Sequence, residues 1–524
     1  MSSLSVAPFS LADLTSQKVS FSGKRSSLVC FVKEDCPTCR EVMPVLCAMY
    51  ESFAEHLDFF VIGQTKAGNQ LLHSEFRPPF NLLDDSALKV SYQTNIETVP
   101  TLLLTDPEGK TQTERVGFVR DEWQAMVNAL LANGVGSACD LDWPSLPEWR
   151  PGCGSLSVDP MHADRLRAEA ENSPIRARRV AVGDLDDEFE FMFDQGFSDG
   201  LPIIPPTPER VIRMLGGTQR NAQDIVAVMP PNMAKVSVEK IAINCVLAGC
   251  KPEYLPVVIA AVEAVCTDEF NIHGVMATTM GATPVMVVSG PIRHQIDMNM
   301  GLGVLGQGNR ANATIGRALR LIIRNVGDAK PGGTERSTFS NPMKFTMCFA
   351  EWEERSCWAP LHVDQGFEKE DSTVTVFAMS GGPTLIIDET ATEGEALGAT
   401  IGEATTNILN AKAYGFNNCL LVVSPEHADT FKRSNYSKQQ LRQRIHQTSE
   451  KSVAELTSGS GFSPEQEAFY GKLGLDARLS KFGSDDDINI VVAGSEAGKC
   501  TALFHGWIPQ RIGSIPVTQK IESR

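Results

Sequence analysis

Chemistry is concentrated first at Cys36-Pro37-Thr38-Cys39, the one CxxC among thirteen cysteines. The motif follows the apolar run Leu28 to Lys33 within three residues. It precedes apolar positions at helical spacing, namely Val42, Met43, Val45, Leu46 and Met49. Strand, CxxC, helix is the predicted order, and it sets Cys36 at a helix N-terminus, where unpaired N–H groups and the helix dipole stabilise a thiolate. Cys36 is therefore the expected nucleophile. Cys39, one turn further in and buried beneath it, is the thiol that resolves a mixed disulfide. A redox-dead pair on an interaction module is the bland alternative, but an intact CxxC at such a turn is normally chemical. The odd count and uneven spacing of the cysteines argue against a secreted disulfide framework, and no second CxxC completes a four-cysteine zinc site. No metal and no cofactor are expected.

Other residues could do chemistry elsewhere in the chain. Cys153 lies between Gly152 and Gly154 in a stretch rich in Gly, Ser, Pro and Trp, where a thiol is expected on an exposed turn. Treated as flexible coil, the twenty residues from Gly134 have a reach of about 25 Å, enough for a thiol shuttle between the CxxC and a second domain. An incidental loop thiol is the competing reading. From Glu351 to Gly366 come Glu353, Glu354, Arg355, Cys357, His362 and Asp364, the residue types that proton transfer or thiolate activation requires. Cys357 and His362 are the catalytic candidates there, against a solvated acidic loop.

A glycine-dense loop runs from Gly301 to Arg310. Gly301, Gly303 and Gly306 satisfy GxGxxG formally, yet no convincing strand precedes them to aim a dinucleotide site. Gly306, Gly308, Asn309 and Arg310, with the helix start behind them, are instead expected to hold an anionic substrate group. His273, beside Gly274 in an apolar run, is a further substrate-binding candidate, with a core histidine as the alternative. Gly494 to Cys500 resembles a P-loop one residue short and lacks the Ser or Thr that ligates magnesium, which disfavours ATP hydrolysis.

These residues need elements to position them. Residues 58–62 read as a strand, Val99-Pro100-Thr101 opens another, Asp106 to Gly109 makes a turn into a third, and a helix runs from Asp121 through Ala132. Together CPTC and Val99-Pro100-Thr101 resemble the thioredoxin superfamily over roughly residues 7–133. Phe80 to Asp84 and Asp106 to Gly109 look more like its membrane-anchored-reductase and peroxiredoxin branch. The resemblance implies that Pro100 is cis, faces the CxxC sulfurs and helps to bind a substrate disulfide. Cys30 stands where thioredoxin keeps a buried acid, which leaves the direction of electron flow open.

Further on, Thr207 as N-cap with Pro208 and Glu209 starts a helix, Ser237 to Leu247 forms another with Cys245 on its core stripe, and Pro256 to Ala264 is apolar all round. Three apolar runs, starting at Val285, Leu420 and Ile488, read as buried strands of an α/β sheet leading into turns. Met276 to Gly281 looks like Phe377 to Gly382, and Ala313 to Gly316 like Ala399 to Gly402, a weak sign of internal duplication. From about residue 190, the 199–210 and 308–316 segments also loosely resemble a bacterial family linked to selenocysteine- or cysteine-containing Gly-Ser-Cys modules, which implies thiol or selenol redox chemistry.

Composition bounds the rest. With 524 residues, 42 % apolar and 21 % charged, the chain is ordinary globular material with several cores. No run approaches the ~18 uncharged apolar residues of a membrane span, and no secretory leader is evident, so a cytoplasmic location is expected. A net charge of −17 opposes nucleic acid and anionic membranes as partners. The expected organisation is a thioredoxin-like domain at 1–133, a linker with a short helix at 134–184, and a larger α/β region at 185–524. The expected function is a thiol-dependent oxidoreductase whose CxxC pair supplies or accepts electrons for chemistry on a small anionic molecule in the C-terminal region. Alternatives are a lyase or hydrolase with the first domain as docking or redox regulator, and a non-enzymatic thiol adaptor. Expected partners are a small-molecule substrate and a thiol reductant or a selenocysteine or cysteine protein, with a homo-oligomer left open.

Overall fold

A computed structural model describes residues 5–21, 23–180, 182–183, 187–407, 412–458, 463–509 and 513–522. The chain divides into two compact units, Met1–Val180 and Ala181–Arg524. Among the described residues no helix is long and apolar enough to cross a membrane.

At the centre of the first unit lies the strand Ser27–Val32, buried along its whole length. Both of its faces are covered, which is why it reads as an unbroken apolar run. Asp58–Gly63 pairs parallel on one side and Thr101–Thr105 antiparallel on the other, within a seven-stranded sheet. Helix Pro37–Phe53 follows the central strand and buries Val42, Met43, Leu46, Met49 and Phe53. Helix Arg120–Ala132 follows the sheet, with Trp123, Met126 and Val127 buried. The architecture is mixed α/β, and the Val99–Pro100 peptide is cis, as the resemblance implied.

The expected linker is not one. Up to Val180 it belongs to the first unit. Trp143 is buried, and Cys139, Leu141 and Leu146 pack against the core. Strand Trp149–Arg150 pairs antiparallel with Phe118–Val119, and strand Cys153–Gly154 with Thr98–Val99. Composition suggested free coil, but these two-residue strands give Thr98–Val99 and Phe118–Val119 main-chain partners.

In the second unit the three apolar runs become strands Thr283–Ser289, Cys419–Val423 and Ile488–Val492, all fully buried in one mixed sheet. Its longest strand, Thr373–Ile387, shifts register between Met379 and Thr384 and so serves two halves. The first half pairs with Thr283–Ser289 and Val517–Lys520, the second with Cys500–Gly506. Helices Val238–Ala248, Leu255–Val265 and Arg310–Asn325 form as their apolar patterns predict. Thr207 precedes helix Pro208–Leu215 without a side-chain cap bond. The suggested duplication fails at one of its two pairs: the segment ending at Gly281 runs from helix Ile272–Ala277 into a loop, whereas its counterpart lies in the long strand.

Candidate active site

Cys36 is the N-cap of helix Pro37–Phe53, with Pro37 as the first helical residue. Its Sγ accepts the Cys39 N–H at 3.4 Å and lies 3.4 Å from the Val99 carbonyl oxygen, to which the thiol form donates. The strand-to-helix turn therefore aims an orphan helix N–H at the sulfur. Hydrogen bonding from the Cys39 side chain brings the Cys36 thiol down to about 5 against the opposing effect of burial, with Cys153 adding to the lowering. Cys39 behaves oppositely. Burial, then the neighbouring Cys36, pushes its thiol far up, although the Lys33 N–H donates to its sulfur at 3.4 Å. The two shifts run in opposite directions, toward the thiolate at Cys36 and toward the neutral thiol at Cys39.

Cys153 is half-buried rather than on an exposed turn, and it is pinned rather than roaming, because its backbone is paired opposite Val99. Hydrogen bonding to Cys36, then burial, raises its thiol to about 11. Pro100 follows Val99, so Cys36, Cys39, Pro100 and Cys153 converge on one locus. All thirteen cysteines are free thiols in the structure. Cys30, in the central strand, is pushed up by burial and supplies no acid to the pair.

The second unit's polar constellation has a different character. Glu351 and His362 have no exposed surface, so the alternative of a solvated acidic loop does not hold there, and the two lie in a buried network. One Glu351 oxygen accepts from the Ser289 hydroxyl at 3.0 Å and the Leu361 N–H at 2.9 Å, while the other has no hydrogen-bond partner among the described residues. Burial raises this carboxyl to about 7 despite Lys438 nearby. Arg293 ties the network together, reaching Glu353 at 3.0 Å and Glu354 at 3.1 Å and donating to the Glu351 carbonyl at 2.7 Å. His362 Nδ1 lies 3.9 Å from Glu353 without a hydrogen bond. Cys357 packs with Trp358 on the cluster of Leu397, Ile401 and Phe431, and burial raises its thiol to about 11. The thiolate activation expected of Cys357 is not what this surrounding produces, because burial without sufficient donors favours the neutral thiol.

The glycine-loop candidates do not converge. Gly306 lines a cavity of ≈ 250 Å³ beyond the carboxyl ends of strands Cys419–Val423 and Ile488–Val492, with Ser424, Gly494 and Cys500. Asn309 caps helix Arg310–Asn325 through the Asn312 N–H and donates to the Asp297 carbonyl at 2.7 Å. Gly308 is exposed in a positive-φ turn with open space around it. Arg310 donates to the Gly249 carbonyl at 2.9 Å and lines a separate cavity of ≈ 300 Å³ with Arg210, Arg213, Lys251 and Cys250. No carboxylate belongs to the described lining of that cavity. His273 is exposed on the short helix Ile272–Ala277 and lines neither cavity, which also corrects its reading as a core histidine. Arg210, Arg213 and Lys251 went unnoticed in the sequence, although Arg210 and Arg213 stand one turn apart on a helix, a spacing that shares a face.

No family model matches the sequence, and no curated protein does, so the loose likeness of the second unit to a bacterial family gains no support. Solved structures are similar to the N-terminal quarter of the chain. One is the thioredoxin domain of a thiol-disulfide oxidoreductase from Bacteroides vulgatus, 21 % identical over 25 % of this chain and 98 % of that one, TM-score 0.22. Another is a secreted disulfide oxidoreductase of Mycobacterium tuberculosis, 20 % identical over 23 % of this chain and 96 % of that one, TM-score 0.21. A third is an exposed lipoprotein thioredoxin of Streptococcus pneumoniae, 16 % identical over 24 % of this chain and 99 % of that one, TM-score 0.21.

Proposed function

We propose that the chain is a thiol-disulfide oxidoreductase in which Cys36 attacks and Cys39 resolves. The observation that carries this reading is the Cys36 sulfur at the helix start, accepting the Cys39 N–H at 3.4 Å with its thiol lowered to about 5. The Cys36 thiolate attacks a substrate disulfide, one sulfur of which becomes bonded to Cys36 while the other leaves as a thiolate. Loss of the Cys36 charge removes part of what holds the proton on Cys39. Cys39 then gives up that proton and attacks Cys36, releasing the second substrate thiol and closing a Cys36–Cys39 disulfide. Two electrons pass to the substrate, and a dithiol reductant, small or protein-borne, restores the pair. Lowering the Cys36 thiol stabilises the reduced state, which biases the pair toward accepting electrons relative to an ordinary dithiol. Cys36→Ser is expected to lower the reduction of a peptide disulfide with dithiothreitol by at least about a thousandfold. An unchanged rate overturns the assignment.

The second unit, on the same reading, binds a small anion. Support comes from the cavity where Arg210, Arg213, Lys251 and Arg310 meet on a chain of net charge −17. Cations of like sign gathered at one concavity repel each other unless an anion joins them. Citrate and inorganic phosphate are the probes. Either one raising the melting temperature of the wild-type chain, but not of the Arg213→Glu, Lys251→Glu double variant, supports the site. No shift with either sinks it.

A further inference from the structure

Residues 149–158 lie across the Cys36 locus as a peptide would. Beyond the pairing of Cys153 with Val99, the Ser155 N–H donates to the Glu97 carbonyl at 2.9 Å, and the Ser157 hydroxyl donates to the Ile96 carbonyl at 2.8 Å. From the helix side the Thr38 hydroxyl donates to the Pro151 carbonyl at 2.5 Å. Gln64 holds the far end, donating to the Ser155 hydroxyl at 2.6 Å and accepting the Leu156 N–H at 2.9 Å. Lys33 donates to the Gly154 carbonyl at 3.2 Å. Added strands of this kind take their affinity from main-chain bonds.

The fit also selects a residue type. A Cβ on Gly152 would sit 2.3 Å from Thr98 Cγ2 and 2.8 Å from the Val99 carbonyl oxygen, so only glycine lets the strap approach this closely. Beneath it Cys36 is 0 % exposed. An external disulfide reaches that sulfur only when the strap moves, whereas Cys153 is already beside it.

We propose that the strap is a resident peptide in the groove of the redox centre, and that Cys153 exchanges with Cys36 to form an intrachain Cys36–Cys153 disulfide as a third state of that centre. The proposal rests on Cys36 being the nucleophile of the preceding section. Starting from the Cys36–Cys39 disulfide, the Cys153 thiolate attacks the Cys36 sulfur. A Cys36–Cys153 bond forms, the Cys36–Cys39 bond breaks, and Cys39 leaves with the electron pair and takes up the proton that Cys153 lost. The step is an isomerisation and needs no outside oxidant. Oxidising Cys36 also removes the charge and hydrogen bond that hold the proton on Cys153. The new disulfide presents Cys153, the half-buried partner, to the outside. A dithiol reductant attacks there, forming a bond to Cys153 and expelling Cys36 as a thiolate, the better leaving group because its proton affinity is lower. Cys153 thus becomes the port through which electrons enter.

The test uses the full chain. Cys39→Ala treated with glutathione disulfide, then alkylated, digested and analysed by mass spectrometry, is expected to give the Cys36 peptide linked to the Cys153 peptide, with glutathione released. Adding Cys153→Ala should convert this product to glutathionylated Cys36. If Cys39→Ala itself accumulates glutathionylated Cys36 and no cross-link, the strap exchange is overturned while the nucleophile stands. If Cys36 stays unmodified, the nucleophile reading falls with it. Gly152→Ala, which keeps every cysteine, is expected to raise Cys36 alkylation by iodoacetamide about tenfold, as local opening becomes easier. An unchanged rate in a folded variant means that the strap does not cover the sulfur.

Discussion

Cys36 in the first unit and Glu351 in the second are both fully buried ionisable groups, yet they are driven in opposite directions. Cys36 is moved toward its charged form, because the Cys39 thiol, then Cys153 and a helix-start N–H, hydrogen-bond its sulfur. Glu351 is moved toward its neutral form by burial, which its two donors, both serving one oxygen, do not offset. Cys357 follows Glu351 rather than the other cysteine. Burial alone silences an ionisable group, and donors aimed at the charged form are what activate it.

The largest effect that could break this comparison is at Glu351. A carboxyl displaced from 4.5 to about 7 costs the folded state roughly 3 kcal/mol once it must ionise. Because the folded value lies above the unfolded one, this cost is absent below about pH 4.5 and grows as pH rises through about 7. Glu351→Gln should therefore be more stable than wild type at pH 8, and the difference between the two unfolding free energies should shrink on acidification. A difference that does not vary with pH would remove Glu351 from the comparison.

A smaller effect sharpens the other side. Cys39→Ala removes the leading cause of the lowered Cys36 thiol, so the midpoint of thiolate absorbance should climb from about 5 by at least about one pH unit, roughly 1.4 kcal/mol. The sign at Cys36 is opposite to that at Glu351. Its stabilising contribution to the reduced protein is full above the ordinary thiol range and is lost as pH falls through about 5. Cys153→Ala should move the same midpoint upward by less, since Cys153 is the lesser donor.

Smallest is Cys357→Ala, expected to leave disulfide-exchange rates unchanged and stability within about 1 kcal/mol. A loss of exchange activity there would mean that the second unit holds an activated thiol after all.

Legibility in the sequence followed how local each feature is. The Cys36 site was readable because strand, cysteine and helix start are consecutive, and one peptide direction sets all three. Core strands such as Thr283–Ser289 were readable because burial on both faces demands an unbroken apolar run. The strap was misread, since its grip is main-chain pairing of Trp149–Arg150 and Cys153–Gly154, which leaves no apolar period to detect. Gly306 and Arg310, close in sequence, were grouped as one site, but the loop between them opens onto two different cavities.

By itself the sequence determined that Cys36 begins a helix beside a buried strand, and that this thiol could therefore be a nucleophile. Only the tertiary structure decided that Cys153 is paired opposite Val99, whose carbonyl Cys36 meets, and that Glu351 is sealed from water. Those facts depend on which distant backbone edges pair and which surfaces meet, and neither leaves a mark in the spacing of neighbouring residues.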